Sequence, residues 1–498
     1  MEVSLPKSSA LKRAGFPSPG LPATLYPSDG ERDGVRGPLQ TVNAPSVSLP
    51  LRFMLAGILS LLVGVGWLIA RPDILASYHY NQHVIAVTHL FVLGFICSVV
   101  MGAMYQLVPV ALETKLYSER LAKWQFAFHV VGFVGMVLMF RVWNMKQVGH
   151  FGCVMLVGVG LFVFNIVRTL LRAPKWSVVA SAIAAALGWI SLTVIAGLSI
   201  AAAKCTYEST AGLATAGGVR SIINGLRSVA GFMSHFDQIS AMHAHAHAGV
   251  IGFFVMLIVG VSYKLVPMFA LSEVQNQRRA ALSVLLLNLG LAGAFVTILL
   301  RSPWKLAFAF VIILSLAIYG LELRAILRAR KRARLDWGIR TFLTALALLA
   351  PLSLLALALS WPKLPLNEFT GQLENVYGFV GLLGVVTFAI VGMLYKILPF
   401  LVWFGVYSPH IGRAQLPLLA EMGSERLQIA GYWSYLAGLA VTVAGTIGLN
   451  PAGIRAGSAL LALSLVMFAL NAARVLKHFF RPQLKPLALT TALKKAAA

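Results

Sequence analysis

Three imidazoles fall within five residues at His243-Ala244-His245-Ala246-His247, at the start of a long apolar run. A fourth, His89, enters another such run. Neutral imidazole is an axial ligand for haem iron and a normal ligand for copper and zinc, so the chemistry these residues offer is metal or haem ligation. On a helix, His243 and His247 are four residues apart and share a face. Both can then ligate one metal, or His247 can hold haem iron with His243 beside it. His245 is turned by about 200° from each of them and is expected to face a different helix or a second site. The candidate metal ligands are His243, His245 and His247.

The elements that carry these residues recur. Gly94, Gly102, Tyr105 and Leu107-Val108-Pro109 are matched by Gly252, Gly260, Tyr263 and Leu265-Val266-Pro267, and again by Gly384, Gly392, Tyr395 and Ile397-Leu398-Pro399. Tyr263 follows Tyr105 by 158 residues and Tyr395 follows Tyr263 by 132, so one supersecondary unit is used three times with loops of different length. His89 and His247 occupy one register of this unit, and the third copy has Phe379 there. Gly94 and Gly252 leave space beside the helix for a planar cofactor, or they mark close packing of small residues between helices. Both readings fit the sequence.

Composition places the unit in a membrane. Hydrophobic residues make up 58% of the 498, charged residues only 11%, and the mean hydropathy is +0.81. That leaves too little polar surface for a water-soluble protein of this size. Twelve apolar runs, each long enough to cross a bilayer core of about 30 Å, lie between residues 51 and 476. They divide into three quartets, at 51–173, 177–330 and 339–478, with the repeated motif on the second helix of each. The expected fold is all-α: a polytopic bundle of twelve transmembrane helices in three pseudosymmetric four-helix arcs. Residues 1–50, rich in Pro, Ser and Gly without an apolar core, read as a disordered tail, the membrane domain as 51–480, and 481–498 as a second tail. Cys97, Cys153 and Cys205 form no disulfide framework, and no CxxCH sequence attaches haem covalently, so any haem is held non-covalently.

Each fourth helix ends in a basic cluster: Arg168, Arg172 and Lys175; Arg324, Arg328, Arg330, Lys331, Arg332 and Arg334; and Arg474, Lys477 and Arg481. The positive-inside rule puts these ends, and both termini, in the cytoplasm. The formal charge of +25 is then topogenic and directed at lipid headgroups. With the cations in short loops and no recognisable binding module, nucleic acid is not an expected partner. His89 and the His243–His247 run lie near the outer face, where two intramembrane histidines at matching depth point to function over packing. His79, His83, His150 and His235 are expected to be solvated loop residues, His129 a packed hydrogen-bonding residue, and Lys264 and Lys396 to snorkel to inner headgroups.

From His89 to Leu121, with Gly102-Ala103-Met104-Tyr105-Gln106-Leu107-Val108-Pro109 and then Tyr117-Ser118-Glu119-Arg120-Leu121-Ala122, the chain resembles the second helix and following loop of haem-copper oxidase catalytic subunits. The nitric-oxide reductase and cbb3-type branches are the most similar. The resemblance implies twelve helices in three arcs of four, His89 as a ligand of a b-type, non-covalent haem, copper as a further cofactor, and a c-type cytochrome or other respiratory subunits as partners. It also implies residence in the plasma (inner) membrane of a bacterium. The chain departs from the family at Tyr377 and Phe379, which stand where the tenth helix carries His-x-His. Its seventh helix, Ala281 to Leu300, lacks the His-His copper pair.

A standard proton-pumping oxygen-reducing centre cannot be assembled from these residues. What the resemblance still implies is a haem between His89 and His247 in a symmetry-equivalent pore, an arrangement similar also to haem-copper membrane proteins of the nitric-oxide response. The expected function is haem binding, with copper as a second cofactor, in redox or respiratory-gas chemistry, with turnover as an oxidoreductase left open. A transporter of copper or another metal, and a non-catalytic subunit of a respiratory complex, stand as alternatives.

Overall fold

A computed structural model describes residues 45–208, 225, 228–365 and 367–486. Most of the tail expected at 1–50, the end of the 481–498 tail, the Cys205 side chain and much of the loop between the fifth and sixth spans lie outside the described residues. Twelve helices are long and apolar enough to cross a bilayer: α1 Ser48–Ala70, α2 Gln82–Ala111, α3 Glu119–Arg141, α4 Met145–Leu170, α5 Val178–Lys204, α6 Gln238–Ala270, α7 Gln277–Leu299, α8 Lys305–Arg328, α9 Trp337–Leu359, α10 Glu368–His410, α11 Glu425–Ile447 and α12 Pro451–Phe479. A two-residue antiparallel pair, Ala414–Gln415 with Lys485–Pro486, ties the α10–α11 connection to the segment after α12.

The motif-bearing helices form the inside of the bundle. In their most apolar windows α2, α6 and α10 are 61, 72 and 78% buried, against 17–50% for the other nine. Around them the outer helices close a ring, with α4 against α5, α8 against α9 and α12 against α1. A helix apolar on all sides has no lipid-facing stripe to specify, and these three are the ones surrounded by protein. On the axis between them, towards the Tyr–Pro end, lies an apolar cavity of ≈ 100 Å³ lined by Val99, Ala103, Leu257, Val261, Val386 and Met393 among others.

The glycines of the motif serve packing. A side chain at Gly102 would meet Phe53 of α1 at 2.6 Å, and one at Gly260 would meet Ala182 of α5 at 2.2 Å. Gly94 and Gly252 face Ser60 and Trp189 on the same two helices. Of the two readings open in the sequence, close approach of the inner helix to the first helix of its quartet is the one observed.

Each inner helix also changes pitch at the same place. Leu90–Cys97, Ala248–Val255 and Val380–Thr387 are π-helical, beginning one residue after His89, His247 and Phe379. Wide turns of this kind are rare and concentrate at functional sites. They are spaced 158 and 132 residues apart, as the tyrosines are.

A second threefold feature holds the ends carrying the basic clusters. Asn165 of α4 accepts from the Ser118 N–H at 3.0 Å, Glu322 of α8 from the Gln275 N–H at 2.7 Å, and Asn471 of α12 from the Ser424 N–H at 2.6 Å. In every quartet a polar side chain on the fourth helix thus latches the entry to the third, always across 47 residues. Ser118, Asn276 and Ser424 then cap α3, α7 and α11 by accepting from the third N–H of each helix. Glu322, fully buried, also accepts from Asn276 N–H at 2.9 Å and pairs with Arg279 at 2.7 Å. Lys396, expected to snorkel to headgroups, pairs through Nζ with Asp336 at the start of α9 at 2.7 Å.

Candidate haem and metal site

The histidine-bearing ends of α2 and α6 hold their imidazoles in one tautomer. His89 Nδ1–H donates to the Ile85 carbonyl at 2.8 Å, His247 Nδ1–H to the His243 carbonyl at 2.8 Å, and His245 Nδ1–H to the Thr193 carbonyl of α5 at 2.9 Å. A carbonyl can only accept, so in each ring Nε2 carries the lone pair, free in His89 and His245 and turned to the Tyr377 hydroxyl in His247. This is the arrangement that orients metal-ligating histidines and raises their basicity. None of the three is sealed in packed core, since each keeps part of its surface accessible.

His129 is built differently. It is 0% exposed, and its Nε2 spans the Leu93 carbonyl at 3.1 Å and the Ser98 hydroxyl at 2.9 Å. Its Nε2 is committed to these partners within the packed interior, so it offers no ligand position to an adjoining space.

The Nε2 atoms of the three rings face different surroundings. His247 lies against Tyr377 of α10, with Nε2 3.4 Å from the tyrosine hydroxyl and the rings stacked at 5.9 Å between centroids. Tyr377 sits two residues before Phe379, the repeat-equivalent of His247. Applying the same relation one inner helix back, His89 of α2 should face the residue two before His247. That residue is His245. His89 packs on Phe140 of α3 at 4.5 Å, and His245 fills the space over Gly197 of α5. Lys204, at the end of α5, bonds the Tyr80 hydroxyl and lies over the Trp143 ring.

His243 points elsewhere. Its Nε2 is 3.1 Å from His79 Nε2, the two rings stack at 5.2 Å, and His79 Nδ1 is 3.3 Å from Glu374 Oε2. The loop bearing His79 is fixed by α10, where Asn375 donates to the Ser77 carbonyl at 2.8 Å and Gln372 to the Ala76 carbonyl at 3.4 Å. Burial pushes the His79 imidazole below the usual histidine range, so it is neutral near pH 7 and presents a lone pair.

These positions revise the expected ligand sets. His243, His245 and His247 do not converge on one centre, because each faces a different neighbour: His79, Thr193 and Tyr377. The shared face of His243 and His247 is real, but it runs along the helix past two separate partners. Sequence reasoning missed Glu374, and for His79 it set a solvated loop first and a supporting or metal-entry role second. The only signal available was their position at the same end as the histidine run.

Residues 39–147 match the family described as Cytochrome C and Quinol oxidase polypeptide I, a stretch that includes His89 and the first copy of the motif. No curated protein sequence matches the chain. Among solved structures, the fold is similar to that of a haem-copper terminal oxidase dimer determined by cryo-electron microscopy, with 12% identity, a TM-score of 0.56, and coverage of 86% of this chain and 82% of that one. The chain is an integral membrane protein with the oxidase subunit I fold. The family match lies within the first arc, and the likeness of fold extends over most of the chain.

Proposed function

We propose that the protein is a haem-binding membrane redox protein that holds a non-covalent b-type haem between α2 and α6. The supporting observation is that His89 and His245 each have Nδ1 tied to a carbonyl and Nε2 free, at positions on two inner helices related by the repeat as His247 and Tyr377 are. His245 takes the place given to His247 in the sequence reading, since His247 is occupied by Tyr377. The residues suit the group: two neutral imidazoles of fixed tautomer, alanine or glycine rather than bulk at Ala86, Gly197 and Ala248, and the Lys204 cation at the compartment's end for carboxylate side arms. A haem so held supplies one-electron transfer. The protein's part is to orient both rings, fix their protons on Nδ1 and keep water from the iron.

The reading departs from a proton-pumping oxidase on two counts. Tyr377 and Phe379 replace ligands on α10, and the axis between the inner helices is apolar. That apolar axis also speaks against a transport pathway, which needs polar groups at mid-depth. The test is the spectrum of detergent-purified protein. We expect a Soret band, reduction by dithionite, and haem released into acidified acetone at one per chain; protein purified without any haem would defeat the reading. The redox partner on this reading is a c-type cytochrome or another respiratory subunit.

We further propose cytoplasmic termini and residence in the bacterial inner membrane, on the strength of the basic clusters. A reporter fused after Lys175 or Arg334 is expected to read cytoplasmic. A periplasmic signal at either position would invert the bundle.

A further inference from the structure

We propose that His79, His243 and Glu374 bind a divalent first-row transition ion of borderline softness, such as copper(II) or zinc(II), in a site separate from the haem compartment. The three ligand atoms, from the α1–α2 loop, the first turns of α6 and the second turn of α10, all lie within 4.8 Å of one another. Two imidazoles and one carboxylate are a donor set that such ions accept. The 3.1 Å between the two Nε2 atoms is close to the separation of about 3.3 Å that bonds of about 2.0 Å to a shared tetrahedral ion would impose.

A proton relay through the same residues fits less well. His79 Nδ1 is buried and makes no hydrogen bond, although Glu374 Oε2 is 3.3 Å away, so the chain of donors is broken at its middle member. An ion held on the two facing Nε2 atoms replaces the hydrogen bond between them and lets His79 Nδ1–H turn to the Glu374 carboxylate beside it. The site is also braced as ligand sites are, since Asn375, the neighbour of Glu374, holds the backbone two residues before His79. His247 donates to the carbonyl of His243, so the ion lies one helical turn from the His247–Tyr377 contact.

The site uses neither His89 nor His245, and its test is read independently of the haem. Haem-containing full-length protein, stripped with chelator and titrated with Cu2+, should take up one ion per chain and show nitrogen hyperfine structure in its EPR spectrum, with Zn2+ displacing the ion only in large excess. His79→Ala, His243→Ala and Glu374→Gln should each weaken Cu2+ binding at least about tenfold, in line with the loss of one of three ligands. His150→Ala, on exposed surface, should not. The Soret band of every variant reports that the bundle is folded, and Glu374→Gln keeps the side-chain volume. Stoichiometric Cu2+ binding that is unchanged in both His79→Ala and Glu374→Gln would overturn the proposal, as would wild-type protein that binds neither ion at one per chain. If the wild type lacks haem yet binds Cu2+ in this pattern, the haem reading fails and this one stands.

Discussion

Purified His89→Ala and His245→Ala proteins are expected to lose the Soret band, while His247→Ala keeps it. Each alanine removes one of two axial nitrogens and leaves a cavity of imidazole size, so haem content should fall at least about tenfold in detergent if each axial bond contributes a few kcal/mol. Imidazole added to either variant should restore part of the band, because the vacated space and the opposite ligand remain. A merely packing histidine would give no such rescue. His129→Gln supplies the contrast, with the spectrum expected to stay and stability to fall, since the Leu93 carbonyl and Ser98 hydroxyl lose a partner. Unchanged spectra in both His89→Ala and His245→Ala would falsify the pairing. Loss of the band in His247→Ala instead of His245→Ala would return the ligand to the residue first suggested by the repeat register.

The largest effect on stability is expected at Glu322. Its carboxylate accepts two backbone N–H groups and pairs with Arg279 from a fully buried position. Glu322→Ala leaves those donors without partners in a low-dielectric setting, a cost of about 3–5 kcal/mol. Asn165→Ala and Asn471→Ala remove neutral acceptors from the equivalent places and should cost about 1–3 kcal/mol each. Thermal denaturation in detergent at one fixed scan rate should rank Glu322→Ala lowest, below both asparagine variants and the wild type. An unchanged transition for Glu322→Ala would remove the latch from any account of stability.

Much of the bundle was legible because membrane burial writes itself in run length. Twelve apolar runs became twelve helices among the described residues, and the three with motifs became the interior. The helical wheel separated His245 from His243 and His247 correctly. What it did not contain was the angle of the neighbouring helix, which sets His247 against Tyr377 of α10. The π segments were hidden for a related reason: a wider turn alters rotation per residue without a fixed residue type to announce it. His79 read as solvent because only the tertiary packing of Gln372 and Asn375 folds its loop over α10. The latch escaped notice because the repeated role is filled by Asn, Glu and Asn, one geometry under two chemistries.

That latch bears on biosynthesis. Each one closes within a single quartet, linking the entry of the third helix to the fourth only 47 residues on. A quartet therefore seals its own latched edge as soon as its fourth helix is made, with no need to wait for chain that has not been made. The contacts at the other end span quartets instead, His79 with His243 and Glu374 and His247 with Tyr377, so that end closes only after α6 and α10 are in place. Scaffold assembly is local and early, and assembly of the imidazole-bearing end is distant and late.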